Sequence, residues 1–205
     1  MTNVEKLVAR VKKTERGFTD IQRAADEVVH ENDPKVSLQI ARKLIASNVH
    51  QARMAASFIY GRLAASSKEA LRELKVRVSK DGDWRVQEIL AQAFTRFCMD
   101  RGIEESLPSI REWLSDPSPN VRRAVTEGLR IWTTRPYFRE HPAVAVELLA
   151  KLRNDRSDYV RRSVGNALRD ISRKHKELIR RELREWDRSD PLTEQTYKLA
   201  SRFLA

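Results

Sequence analysis

Turn-forming residues are scarce in this 205-residue chain, which has six glycines and seven prolines. Few turns mean long elements, and a fold of many short strands joined by tight hairpins is excluded. Cysteine occurs once, at Cys98, so no intrachain disulfide forms. A lone thiol points to a reducing compartment, and its apolar helical surroundings are those of a packing residue rather than a nucleophile. No apolar stretch approaches the ~20 residues of a membrane span. No apolar core follows the basic residues near the N-terminus, so no secretory signal is expected and a cytoplasmic location follows. Histidines are few and scattered: His30, His50, His141 and His175 fall near expected helix ends, where capping is their natural role. No Cys/His cluster has metal-ligand spacing, so neither metal nor cofactor is expected. Acidic residues are also short, with Asp+Glu 29 against Lys+Arg 40 and a formal net charge of +11. Such an excess concerns partners rather than fold. Nucleic acid is the first candidate, an anionic membrane surface the second, and plain solubility the bland alternative. Arginine supplies most of the positive charge, and its planar fork suits phosphate.

What the chain does have is internal repetition. Four segments align without gaps, beginning at Ala52, Val86, Val121 and Val160, at spacings of 34, 35 and 39 residues. Each carries apolar side chains at i, i+4 and i+8: Ala52, Ala56 and Tyr60; Val86, Leu90 and Phe94; Val121, Val125 and Leu129; Val160, Val164 and Leu168. That is one stripe of a helix, repeated at the period of a two-helix unit with short turns. The intervening stretches also read as helices, with stripes at Leu38 to Ile45, Leu71 to Val78, Leu107 to Leu114 and Val144 to Leu152. A last pair spans roughly 176–186 and 191–204, carrying Leu178, Ile179, Leu183, Trp186, Leu192, Tyr197, Leu199 and Phe203. Asp33-Pro34, Asp116-Pro117-Ser118-Pro119, His141-Pro142 and Asp190-Pro191 place proline at or before first turns, and Ser157 offers an N-cap. The expectation is an all-α, HEAT-like α-solenoid of about six stacked helix pairs, a single domain over 1–205, with the second helix of each pair lining a concave side.

Each inner helix begins with positive charge: Arg53, Arg85, the pair Arg122 and Arg123, and the pair Arg161 and Arg162. These recur at the repeat period, so stacking brings them into register as a row of cations beside helix N-termini. A duplex backbone is a matching row of anions. The competing arrangement is an arginine bonded to a carboxylate of the neighbouring repeat. Within this basic context stands a different set of residues. Trp84 and Glu88 are four apart and share one helical face. Arg123 holds the repeat position of Glu88 one unit later. Glu127 lies one turn beyond Arg123, Asn166 is in register with Glu127, and Asp170 lies one turn beyond Asn166. A carboxylate facing phosphates needs an arginine partner or a cationic ligand. An N3- or N7-alkylated purine is such a ligand: its weakened glycosidic bond develops positive charge on the sugar, which carboxylates stabilise, and a Trp face attracts the ring. The alternative is an inter-repeat ion pair of Glu88 with Arg123, with Trp84 as a packing residue.

The run Ser157 to His175, more loosely Asn120 to Gly128, and the surroundings of Trp84 resemble the DNA alkylation-repair glycosylases of the AlkC/AlkD type. At the level of repeat layout the resemblance covers roughly residues 35–186. It implies a HEAT-like fold that grips double-stranded DNA through its backbone, as a nucleoid-associated monomer. The implied activity is removal of cationic N3- and N7-alkylpurines without a base-flipping pocket. By this resemblance Trp84, Glu88 and Arg123 match the AlkD-type aromatic, acid and arginine, while Glu127 and Asp170 match carboxylates of the AlkC-type site. The expected catalytic set is Asp170, Glu127 and Glu88, with Trp84 on the lesion or sugar. Phosphates fall to Arg53, Arg85, Arg122, Arg123, Arg161, Arg162 and Arg169. Two positions depart from the pattern: Asn166 stands where the AlkD type has a second tryptophan, and Gln92 where the AlkC type has a first glutamate. The alternatives are a HEAT-repeat protein that binds bent or branched DNA without excision, and a protein-binding scaffold.

Overall fold

The computed structural model describes residues 2–204. Among these the chain forms thirteen α-helices and three short 3-10 turns, with no strand. It divides into two compact units, Met1–Arg101 and Gly102–Ala205. The first contains α1 (Asn3–Val11), α2 (Thr19–Glu31), α3 (Pro34–Ile45), α4 (His50–Leu63), α5 (Lys68–Val76), a turn at Val78–Lys80, and α6 (Trp84–Arg101). The second contains α7 (Ile103–Leu114), α8 (Pro119–Gly128), a turn at Trp132–Thr134, α9 (Pro136–Glu140), α10 (Pro142–Ala150), α11 (Asp158–Ser172), α12 (Lys176–Arg184), α13 (Pro191–Ala200) and a turn at Ser201–Phe203. The helices pair in HEAT-like fashion. No helix among the described residues is long and apolar enough to cross a membrane.

The repeated stripes form the core. All twelve residues at the i, i+4 and i+8 positions of α4, α6, α8 with its C-cap, and α11 are fully buried, including Tyr60, Phe94 and Leu168. At about 25 cal/mol per Å2 of apolar surface, this shared burial is the main favourable term of each repeat. Helix entries follow local chemistry. Asp33 accepts from the N–H groups of Lys35 and Val36 at 2.8 and 3.0 Å, with Pro34 at the first helical position. Asp190 does the same for Leu192 ahead of Pro191. Other expected caps are not made by side chains. Ser157, His141 and His175 occupy N-cap positions without a capping bond. The Ser157 N–H is already held by Asp155 at 2.8 Å, and the His141 ring packs 4.9 Å from Tyr137.

The arginines that open the inner helices have a structural task. The residue after each stripe start reaches back to the carbonyl six residues earlier. Arg53 bonds Ser47 O at 3.1 Å, Gln87 bonds Asp81 O at 2.7 Å, Arg122 bonds Asp116 O at 2.7 Å, and Arg161 bonds Asp155 O at 2.6 Å. The side chains at those earlier positions, Ser47, Asp81, Asp116 and Asp155, each accept from the N–H two residues on, which shapes the turn. The same guanidiniums then cross to the next repeat. Arg53 grips Asp81 at 2.5 and 3.2 Å, Arg122 grips Asp155 at 2.6 and 2.8 Å, and Arg161 holds Gln195 at 2.7 and 3.1 Å. Of the two arrangements open to these positions on the sequence, the geometry shows bonding within the stack rather than a free row of cations. Arg161 is 6% exposed.

Three further differences have physical causes. The 39-residue spacing holds an insertion: after α8 the chain turns through Ile131 at φ 57, then a 3-10 turn and α9. A left-handed β-branched residue costs on the order of 1–3 kcal/mol, offset here by full burial of Trp132 and Phe138, whose rings stand 4.9 Å apart. Val76, expected on an apolar stripe, faces solvent because α5 ends there. In α13 the buried residues are Thr193, Thr196 and Ala200, while Leu192, Tyr197 and Leu199 are half-buried and Phe203, in the turn that follows, is exposed. Gly165 lets α13 approach α11 closely, since a Cβ there would lie 2.6 Å from Leu199 Cβ and 3.1 Å from the Thr196 carbonyl. Thr196 satisfies its hydroxyl by donating to the carbonyls of Arg153 and Leu192.

Two stability outcomes follow. Gly165→Ala should cost about 1–3 kcal/mol through overpacking against the Leu199 Cβ and the Thr196 carbonyl, as measured by urea unfolding. Arg122→Ala should cost about 3 kcal/mol because it strands Asp155, which is 4% exposed. Arg162→Ala, at a side chain 67% exposed, should leave the unfolding midpoint nearly unchanged.

Candidate nucleic-acid interface

The first unit presents a cleft of about 520 Å3. Its floor is apolar, made by Ile21, Met54 and Ile89, all buried. Helix α6 supplies one wall. Asp83, just before it, accepts from the Arg85 N–H at 2.9 Å and so fixes the first turn. Trp84, the first residue of α6, is 71% exposed. Glu88 follows one turn on, half-buried, and Gln92 one turn beyond that; all three line the cleft. Opposing chain comes from residues 14–18. Gln51 fastens that segment by donating to Thr14 O at 3.1 Å and Lys12 O at 3.5 Å, and Gly17, at φ +73, allows the turn that delivers Phe18.

The electrostatics of this cleft are mixed. Arg85 lies 5.9 Å from the Trp84 ring centroid and is tied to Asp83 at 2.7 and 2.9 Å. That bond, with smaller help from the Arg85 N–H, holds the Asp83 carboxyl down at about 2 against the penalty of burial. His50, also in the cleft, is pushed below the ordinary imidazole range by burial, reinforced by the charge of Arg85. Its ring is therefore neutral at neutral pH.

The second unit gathers another constellation. Glu127 near the end of α8 accepts from Ser163 Oγ at 2.8 Å and from Arg130 at 3.2 Å. Asp170 on α11 accepts from Arg130 at 3.4 Å and Arg169 at 3.3 Å, with Arg173 at 3.9 Å. One guanidinium, that of Arg130, thus bridges both carboxylates. The Asp170 side chain is 11% exposed. Beside it opens a cavity of about 570 Å3 lined by Arg130, Ile131, Arg169, Asp170 and Arg173. Arg169 and Arg173 stack over the Phe203 ring at 5.5 and 4.5 Å, and Arg169 Nε is buried without a hydrogen-bond partner.

The structure therefore brings Trp84, Arg85 and Glu88 together in the first unit, and Glu127, Asp170 and Arg169 together in the second. Arg53, Arg122 and Arg161 stand apart from both, within the repeat stack. Arg123 is half-buried on α8. Arg162 is exposed and paired with Asp158 at 2.8 Å. Sequence reasoning missed Arg130, Arg173, Ser163, Phe203 and Phe18. Arg130 is three residues beyond Glu127, but across the end of α8, where helical spacing no longer tells which side chains meet. His50 was read as a cap, although its side chain lines the cleft.

Comparison with known proteins follows this geometry. A crystal structure of AlkD2 from Streptococcus mutans is 45% identical, covers 98% of this chain and 97% of its own, and superposes with a TM-score of 0.94. An AlkC alkylpurine DNA glycosylase from Pseudomonas fluorescens, solved with DNA containing an abasic-site analogue, has a TM-score of 0.54 over 98% of this chain and 62% of its own. At 20% identity it shares the fold. The uncharacterized protein YhaZ of Bacillus subtilis is 34% identical over 105 residues, which span 49% of this chain but only 29% of that relative's length. A family model for the DNA alkylation repair enzyme matches residues 17–202, taking in both constellations and nearly every repeat, and the chain belongs to that family.

Proposed function

We infer that this protein acts on double-stranded DNA by hydrolysing the glycosidic bond of cationic N3- or N7-alkylpurines. The observation that carries this reading is the pairing of an exposed Trp84 with Glu88, one turn apart on the wall of an apolar-floored cleft. A cationic heteroaromatic ring is attracted to an indole face by about 0.5–2 kcal/mol. As the bond to such a purine breaks, charge passes to the sugar, and a carboxylate set beside it stabilises the oxocarbenium-like state and orients water. Glu88 takes that role. The leaving base takes the electron pair of the glycosidic bond, which cancels the ring's positive charge, so it departs neutral while water adds to the sugar and loses a proton, and neither metal nor cofactor has a part in the chemistry.

Phosphates are assigned to the exposed or semi-exposed cations: Arg85, Arg162, and the cluster of Arg130, Arg169 and Arg173. The AlkC-type neighbour was solved on DNA, which supports duplex DNA as the partner. Arg53, Arg122 and Arg161 act on DNA only through the stack they hold, because their donors are spent on Asp81, Asp155 and Gln195.

A second reading, DNA binding without excision, draws on the other constellation. Glu127 and Asp170 are saturated by Ser163 and three guanidiniums. Carboxylates so neutralised give little stabilisation to a developing cation. In this reading they position Arg130, Arg169 and Arg173 for phosphate.

Incubation with duplex oligonucleotides carrying 7-methylguanine or 3-methyladenine, followed by chromatography of the free base, separates the two. Release should occur and fall about 10²–10³-fold in Glu88→Gln, with DNA affinity retained. Binding without release would leave the second reading. Loss of release in Asp170→Asn but not in Glu88→Gln would move the chemistry to the second unit. Arg173→Ala should weaken binding to all sequences alike and reduce the slope of log affinity against log salt by about one. A flat salt response in the parent protein would leave only a protein-binding scaffold.

A further inference from the structure

Ile131 stands out twice. Among the described residues it is the non-glycine with a positive φ, at 57. It is also a large apolar side chain left 49% exposed. Neither feature serves stability. A glycine would make the same left-handed turn without steric penalty. A β-branched side chain half in water regains little of that penalty by packing. The backbone around it is nevertheless firmly held. Leu129 and Trp132 are fully buried on either side. The Ile131 carbonyl accepts from both the N–H and the hydroxyl of Thr134, at 2.9 and 2.8 Å. Strain that the surrounding structure fixes in this way is a mark of binding positions.

The neighbours of Ile131 point to what it meets. It lines the 570 Å3 cavity together with Arg130, Arg169, Asp170 and Arg173. That lining carries three guanidiniums against one carboxylate, and Arg169 Nε is buried without a hydrogen-bond partner. An apolar patch on another protein is a poor match, because covering one isoleucine there would strip water from the cations around it. A polyanion with apolar surface between its charges is a good match. A DNA strand has that pattern, with deoxyriboses between phosphates. Groove width then decides which side of the duplex is met. The major groove, ~12 Å wide, admits a whole helix, whereas the minor groove, ~6 Å wide, admits single side chains. Aliphatic side chains are used in the minor groove in this way. Here the exposed apolar group is one side chain on a turn.

We propose that Ile131 is a DNA-contact residue, set by its strained turn against the deoxyribose wall of the minor groove, beside phosphates held by Arg130, Arg169 and Arg173. The contact depends on duplex DNA being the partner, as inferred under the proposed function. It adds to that reading an uncharged grip in the second unit, and every base stays in the stack.

Three variants of the full chain test it. Ile131→Ala and Ile131→Gly both remove the side chain, but only the alanine variant keeps the left-handed penalty. The glycine variant should therefore unfold at higher urea than the alanine variant. Affinity for a labelled duplex, read by fluorescence anisotropy, should fall about 10-fold or more in both alike. Ile131→Leu restores apolar volume and should keep most of the affinity. No phosphate contact is lost in these variants, so the slope of log affinity against log salt should match the parent's, whereas Arg173→Ala lowers it. Netropsin, which occupies the minor groove, should erase the difference between the parent and the two truncated variants. Methyl green, which occupies the major groove, should leave that difference in place.

Truncated variants that bind duplex as tightly as the parent would overturn the contact and leave the DNA reading intact. A parent that does not bind duplex removes both. A reduced salt slope in the truncated variants, or an affinity difference that survives netropsin, would also overturn the proposal. So would a glycine variant less stable than the alanine variant. If the alanine variant fails to fold, the glycine variant, whose turn is relaxed, carries the binding comparison.

Discussion

In the four aligned repeats a polar side chain reaches back six residues to a carbonyl, and where that side chain is an arginine it also reaches forward, Arg53 and Arg122 to an acid of the next entry turn and Arg161 to Gln195 of α13. A helix-pair unit buries its apolar stripe only against neighbours, so the register between units must be fixed by something directional. The guanidinium does this because it has five donors in a plane: some satisfy the turn carbonyl, others grip Asp81 or Asp155 bidentately. The acid in turn holds the N–H two residues on, so one ion pair shapes two turns and sets the spacing between them. Where the position is Gln87, the backward bond survives, to both Asp81 O and Val78 O. The carbonyl link is thus the constant part and charge the optional part.

This constraint divides the arginines of a +11 chain into two classes. Those at the stripe-adjacent position are half to fully buried and saturated, and their loss acts on stability. Others are more than 60% exposed: Arg162, one residue on from Arg161 and paired only with the half-exposed Asp158, and Arg173, at the C-cap of α11 and 3.9 Å from Asp170. Ion pairs so exposed are worth little, and their partners are readily exchanged for phosphate. The net charge that pointed toward nucleic acid is therefore carried by fewer side chains than the total implies.

The sequence made the core legible because period and burial coincide: every i, i+4, i+8 residue of the four aligned stripes is inside. It left the arginine ladder ambiguous because the same spacing aligns cations toward a phosphate row or toward the next repeat's acid. Only the Asp at the matching turn position, five residues before each later stripe, distinguishes the two, and its partner lies about one repeat away. Trp84 with Glu88 was legible as a local pair, since four residues on one helix meet whatever the tertiary context. The bridge from Arg130 to Glu127 and Asp170 was not, because Arg130 lies where α8 has ended and Ile131 turns left-handed. The last helix misled for a related reason. Its apolar residues suggested one face, but the missing side chain of Gly165 draws the small face of Thr193, Thr196 and Ala200 inward and leaves Tyr197 and Phe203 to receive arginines.

The two constellations differ in what they ask of a ligand. In the second unit the carboxylates already have cations, because Arg130 bonds both Glu127 and Asp170. The side chain that joins the two acids is itself 42% exposed. In the first unit the indole of Trp84, the carboxylate of Glu88 and the carboxamide of Gln92 line one cleft over an apolar floor, on a helix whose start is fixed by Asp83. On the function proposed above, recognition of a cationic ring falls to the first unit and grip on the DNA backbone to the second.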